Sequence, residues 1–189
     1  MIETADRPCA AFDGETLLAR GPLREVALAV QRRLAGNPAA TVLTFDDATG
    51  RIVDLDLRGS PAEILARFGG TEPRGRGRPK LGVVAREVTL LPRHWDWLSA
   101  QPGGASQALR RLVDAARRGD GGETQARIAR ETAYRFMAAL AGNLPGFEEA
   151  SRALFAGDER GFAAHAAGWP ADIRTYAQEL AWSRLGGAD

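Results

Sequence analysis

Clustered arginine is the feature of this sequence with the clearest chemistry, and that chemistry is the binding of phosphate. Arg74, Arg76, Arg78 and Lys80 fall within seven residues, Arg86 and Arg93 follow, and the pairs Arg110-Arg111 and Arg117-Arg118 stand seven residues apart. The chain as a whole carries a formal charge of only +1, but residues 74–118 carry +7 while the segments on either side carry −3 each. A basic segment between acidic flanks is the electrostatic footprint of a polyanion-binding surface. Of the 25 basic residues only Lys80 is lysine, a skew that follows GC-rich coding, so the clustering carries more weight than the residue type.

Other reactive side chains form no recognisable set. His94 and His165 are far apart and neither accompanies a serine or cysteine nucleophile motif, while one cysteine, Cys9, cannot complete a zinc site with them. The glycines at 75 and 77 lie in a linker and lead into arginine and proline, so they do not form a phosphate-cradling turn between strand and helix. Asp46, Asp47, Asp54 and Asp56 could bind a hard cation, but no ligand loop has regular spacing. A hairpin turn and the solvated face of a strand account for them. No catalytic residue, metal site or cofactor is assigned.

Composition bounds the setting. With 44% apolar and 26% charged residues the chain is of ordinary globular type, and 189 residues allow one good-sized domain or two small ones. No apolar run approaches the ~18 residues of a membrane span, and a single cysteine excludes an internal disulfide framework. A soluble, cytoplasmic protein is expected.

The elements that must position the arginines follow from spacing. Around Asp13-Gly14 two short strands, 9–12 and 16–19, form a hairpin. Gly21-Pro22 opens a helix to about Ala35 with Leu23, Val26, Ala27, Val30 and Leu34 on one face. Residues 41–45 and 51–57 predict a second hairpin, and Ser60 with Glu63 forms a capping box for a helix to about Phe68. Residues 1–68 thus read as a small ββαββα domain. Residues 69–82, rich in Gly and Pro, read as a flexible basic linker.

Residues 83–118 predict a strand (Val83 to Leu91), a helix opened by Pro92, and a second helix capped by Ser106. The second helix has Ala108, Leu109, Leu112, Val113 and Ala116 as its buried face. Residues 119–189 predict helices joined by short Gly/Pro connections, an arrangement that makes antiparallel neighbours in a bundle. Asp158 is expected to cap one of them. The fold class is α+β, in four parts.

Two local resemblances follow from these residues. Arg76-Gly77-Arg78-Pro79-Lys80 resembles the AT-hook, in which glycine lets the backbone lie in a narrow A·T minor groove between two guanidinium groups. Strand, Leu-Pro, helix, Gly-x-Ser turn, helix resembles the ribbon-helix-helix unit in order and length. That resemblance implies obligatory pairing of two strands into a ribbon, a homodimer, and a phosphate anchor at Ser106 and Gln107. Arg74, Arg76, Arg78, Lys80, Arg86, Thr89, Arg93, Ser106, Gln107, Arg110 and Arg111 are the expected DNA contacts. Glu87 on the groove side is a poor reader, so contacts to backbone and groove shape are expected over base recognition.

Over its length the chain is similar to an uncharacterised bacterial family, through the blocks Gly77 to Leu98 and Leu144 to Phe155. That resemblance implies no activity or cofactor. The expectation is a regulatory or architectural protein that binds double-stranded DNA. Alternatives are an adaptor whose C-terminal helices bind a protein partner, and an enzyme with an unrecognised site.

Overall fold

The computed structural model describes residues 7–68 and 86–183 of the chain. The chain divides into two compact units, one formed by Met1–Glu72 with Thr124–Asp189 and the other by Pro73–Glu123. Mixed α+β content is as expected, with three strands and eight helices among the described residues.

In the first unit, β1 (Pro8–Asp13) and β2 (Thr16–Pro22) form the predicted hairpin. Gly14 occupies the first position of its two-residue turn at φ 58°, where glycine has no Cβ penalty. β3 (Val42–Asp46) pairs antiparallel with the other edge of β1, giving the order β2-β1-β3. β1 is therefore the central strand, and Cys9, Ala10, Ala11 and Phe12 are all fully buried. Alternation sends Cys9 and Ala11 toward helix α1 (Leu23–Gly36), with Leu23, Val26 and Val30. Ala10 and Phe12 face the opposite way, into a core shared with helices from the C-terminal part.

Those helices are α5 (Glu123–Leu140), α6 (Phe147–Ala156), α7 (Glu159–His165) and α8 (Ala171–Trp182). Phe136 of α5 and Tyr176 of α8 meet Phe12 at ring separations of 5.1 and 5.4 Å, and each other at 4.7 Å. Edge-to-face and tilted geometry of this kind adds to the burial of the rings. The sequence sets residues 1–68 and 119–189 apart; in the structure they share one core, because a central strand buried on both faces needs cover from two sides. Asp158 caps α7 as expected, its carboxylate accepting from the Gly161 N–H at 2.9 Å.

The expected second hairpin is the main correction in this unit. Of residues 51–57 only Ile52 bridges Phe45, and the Val53 N–H donates to the Thr44 carbonyl; the rest form no strand. Val53, Leu55 and Leu57 pack on the α1 side, while Asp56 takes Arg58 and Arg67 as partners and Arg67 donates to the carbonyls of Asp56 and Arg58. Those contacts replace ladder bonds and turn the chain into α2 (Pro61–Phe68), so the pattern is ββαβα. The capping box at Ser60 and Glu63 is present in both directions.

The turn after β3 joins the two ends of the chain. The Gly50 N–H donates to the Asp46 carbonyl, and a Cβ at Gly50 would lie 2.0 Å from the Thr132 carbonyl oxygen in α5. Gly50 also sits at φ 66°. Gly50→Ala meets both a conformational penalty of about 1 kcal/mol and a backbone clash, so we expect a loss of roughly 3 kcal/mol, read as a melting temperature lowered by about 6–12 °C. A shift under 2 °C would mean that α5 does not pack on this turn.

Candidate nucleic-acid interface

Two groups of charged side chains stand out, one in each unit, and their surroundings are opposite. In the first unit the charges are neutralised from within. Asp46 and Asp47 are buried, not solvated as a surface hairpin would have them. Asp46 is paired with Arg7 and accepts from the Thr49 N–H at 2.7 Å, closing the turn. Asp47 accepts the Tyr176 hydroxyl at 2.6 Å and is paired with Arg20, which also reaches Glu179 and lies 5.0 Å from the centre of the Tyr176 ring. Asp54 is exposed, and the Arg58 partner of Asp56 holds that carboxyl well below the usual carboxylate range. Three of the four aspartates, Asp46, Asp47 and Asp56, therefore serve separate local structures, and Asp54 lies apart on the surface. Among the described residues, no group of three or more His, Cys, Asp or Glu side chains is placed to hold a metal ion.

Cys9 lies on the buried strand beside this network, and burial pushes its thiol up to about 11, with Arg7 opposing and Asp47 reinforcing the shift. A neutral buried thiol of this kind is a weak nucleophile.

In the second unit the described arginines lack such partners among the described residues. Helices α3 (Pro92–Ser99) and α4 (Gly104–Gly119) form a hairpin whose only buried residues, among those described, are Leu98 and Ala108. Pro92 stands at the first position of α3, as expected. α4 begins earlier than predicted: Gly103 is the cap residue at φ 83° and Gly104 follows at φ 74°. Two glycines accept this left-handed turn without strain, so Ser106 sits inside the first turn and is not the cap. The Gln107 side chain lies against Gly103, where a Cβ would be 1.5 Å from its amide oxygen.

The expected strand fails over its described part. Residues 86–91 form no strand, and Arg86 and Thr89 are exposed on an irregular segment leading to the Leu91 cap of α3. They are not part of the described sheet, whose strands are β2, β1 and β3. Arg74, Arg76, Arg78 and Lys80 lie outside the described residues, as do residues 83–85 of the predicted strand.

α4 does bring arginines together. Arg110, Arg111, Arg117 and Arg118 are all exposed on one 16-residue helix, about 24 Å long. Among the described residues none of the four, nor Arg86 or Arg93, forms an ion pair; in the other unit Arg7, Arg20, Arg33, Arg58, Arg67, Arg127, Arg135 and Arg152 do, while Arg32, Arg51, Arg130, Arg160 and Arg174, scattered over several elements, do not. Arg117 and Arg118 were not among the expected contacts, although their seven-residue offset from Arg110 and Arg111 is two helical turns and places the four on one side. Arg111 and Arg118 also border a groove of about 550 Å³ with Trp97, Ala108, Leu112 and Ala115 on its walls. Leu112 and Val113, expected in the buried face of α4, are exposed.

A family model described as "Uncharacterized protein conserved in bacteria (DUF2239)" matches residues 8–181. No curated protein and no solved structure gave a match.

Two tests follow from the buried network. Tyr176→Phe leaves one oxygen of a buried carboxylate without its hydroxyl donor and is expected to cost about 1–3 kcal/mol in urea unfolding. For Cys9 the folded thiol titrates above the unfolded one. Stability from its neutral form is complete below about pH 9 and is lost as pH rises toward 11. Wild type should therefore lose on the order of 2 kcal/mol more than Cys9→Ala between pH 8 and 11, and alkylate slowly until unfolded. Equal pH dependence of the two proteins would refute the assignment.

Proposed function

The chain belongs to this bacterial family, whose description carries no activity, and we propose from its own residues that it binds double-stranded DNA through the unit Pro73–Glu123. The observation that carries the reading is the gathering of four exposed arginines without ion pairs among the described residues on one side of one helix, where the unpaired arginines of the other unit are scattered. An arginine paired with a carboxylate has spent most of its field locally; exposed arginines without partners add to a potential that attracts a polyanion. Arg110, Arg111, Arg117 and Arg118 supply that potential along α4, and Arg93 and Arg86 extend it through α3 and the segment before it. The role is phosphate contact and not base reading, since guanidinium groups spread along an exposed helix can follow a backbone in many registers.

The Arg76-Gly77-Arg78-Pro79 arm adds the minor-groove component of the same reading, on the strength of its sequence alone. Ser106 and Gln107, in the first turn of α4, take the lesser role of neighbours to a helix start. A regulatory or architectural task fits binding that is steered by charge and groove shape.

A second reading, an adaptor working through its C-terminal helices, draws on Tyr134 and Phe155. These rings are 5.3 Å apart, yet 37% and 50% exposed.

Binding to A·T-rich and G·C-rich duplexes over a salt series separates the readings. DNA binding predicts a log–log salt slope that falls by about 0.9 for each α4 arginine changed to alanine that had neutralised a phosphate. Arg76→Ala with Arg78→Ala should abolish the preference for A·T duplexes while retaining most of the affinity from α4. Negligible binding to both duplexes at about 50 mM salt, where phosphate contacts are strongest, would rule out the proposal.

A further inference from the structure

We propose that the groove between α3 and α4 seats an unpaired nucleobase, which stacks on Trp97 while Arg111 and Arg118 hold the neighbouring phosphates. The inference rests on the phosphate-contact reading of α4 and adds a ligand class to it, single-stranded or locally unpaired DNA.

The groove lies where the charged and apolar sides of α4 meet. At 3.6 residues per turn, Ala108, Arg111, Leu112, Ala115 and Arg118 fall within about 120° of one another. The same five residues border the groove. At one end of this arc are Arg111 and Arg118, and at the other is Leu112, 48% exposed. Between them stand only the methyl groups of Ala108 and Ala115, and that step down in side-chain size is what leaves the space. Trp97, 53% exposed, lines the groove from α3. Its volume of about 550 Å³ falls within the roughly 300–1,000 Å³ of sites that hold small ligands.

The chemistry of the lining selects the occupant. An aromatic platform beside two guanidinium groups, neither in an ion pair among the described residues, matches a chain of flat rings joined by phosphates. An aliphatic peptide would leave both cations without a partner. A strand of nucleotides meets both needs, since each unit carries a π-face and a charge. In a duplex the base faces are covered by their neighbours, so a base must leave the stack to reach Trp97. Gln101 and Asp114 also line the groove. The Gln101 amide donates to the Trp97 carbonyl at 3.3 Å, which ties it to the end of α3. A carboxylate at Asp114 repels phosphate and accepts an N–H from a base edge, so the ring and not the backbone enters the groove. Stacking of this kind reads no sequence, in keeping with contact to backbone and shape.

The test compares three probes of about 12 nucleotides with the full chain, by fluorescence anisotropy at about 50 mM salt. They are a thymidine strand, a strand of abasic sites with the same charge, and a duplex. The thymidine strand should bind roughly 5- to 100-fold more tightly than the abasic strand, the gain from one stacked base. Trp97→Ala should bring the thymidine strand down to the level of the abasic strand, and Trp97→Phe should keep most of the gain. Ala115→Leu should also remove it, because leucine fills the groove from an exposed position and is a good helix former. That variant decides the matter if Trp97→Ala misfolds. Arg111→Ala with Arg118→Ala should weaken all three probes and lower their salt slopes. Equal binding of the two strands overturns the base seat and leaves phosphate contact standing, as does a gain that survives either Trp97→Ala or Ala115→Leu. Negligible binding of all three probes removes both readings.

Discussion

The first unit depends on one constraint: its central strand has no face that can meet water. Cys9, Ala10, Ala11 and Phe12 are buried in succession, so each face of β1 must be covered by a different layer. α1 supplies one layer from the residues that follow the hairpin directly, a connection of the shortest kind. The other layer comes from α5 and α8, more than a hundred residues later in the chain. Three strands of five to seven residues cannot bury enough apolar surface alone, so the sheet and the distant helices form together or not at all.

Burial on both faces brings polar groups with it, and the fold meets that cost locally. Asp46 ends β3 and Asp47 follows it where the chain meets Tyr176 of α8, and each is held by an arginine and a second donor. The same two residues start the turn whose Gly50 lies against α5, so one short segment fixes the sheet to both helices. A buried ion pair is weak evidence of net stabilisation, but the removal of one partner strands the other. The network therefore specifies the docking of α8 more than it strengthens it. The low reactivity expected of Cys9 is a by-product of the same dry environment.

Legibility of the sequence tracked the range of the determining interaction. The β1–β2 hairpin, the buried face of α1, the Ser60–Glu63 box and the Asp158 cap all depend on residues within a few positions of each other, and all are present. The strand expected over 51–57 was misread because alternation in Val53, Asp54, Leu55 and Asp56 looks the same whether or not a ladder partner exists. Arg58 and Arg67 decide the matter through carbonyl contacts that periodicity cannot reveal. The same ambiguity affects residues 86–91. Nor could spacing show that the second core of the C-terminal helices is the far face of the N-terminal sheet, since nothing in a periodic pattern names its partner. On α4 the sequence identified the apolar face correctly, and burial did not follow: a pattern of 3.6 shows which side avoids water, and only the lengths of neighbouring helices show whether that side is covered.

That last distinction bears on how the second unit can work. In the first unit the buried charges are met within the chain, with Arg20 set against Asp47 and the core aromatic rings against each other. Among the described residues four arginines of α4 lack counter-ions, and Leu112 and Val113 stand exposed on another side of the same helix. Their separation has a physical consequence, because apolar association and phosphate binding on one helix would compete if they shared a face. Placed on different sides of α4, they need not compete: under the proposed phosphate contact the arginine side would meet the phosphates and the side of Leu112 and Val113 would stay clear of them, so the number of phosphates that α4 could neutralise would be set by its arginines alone.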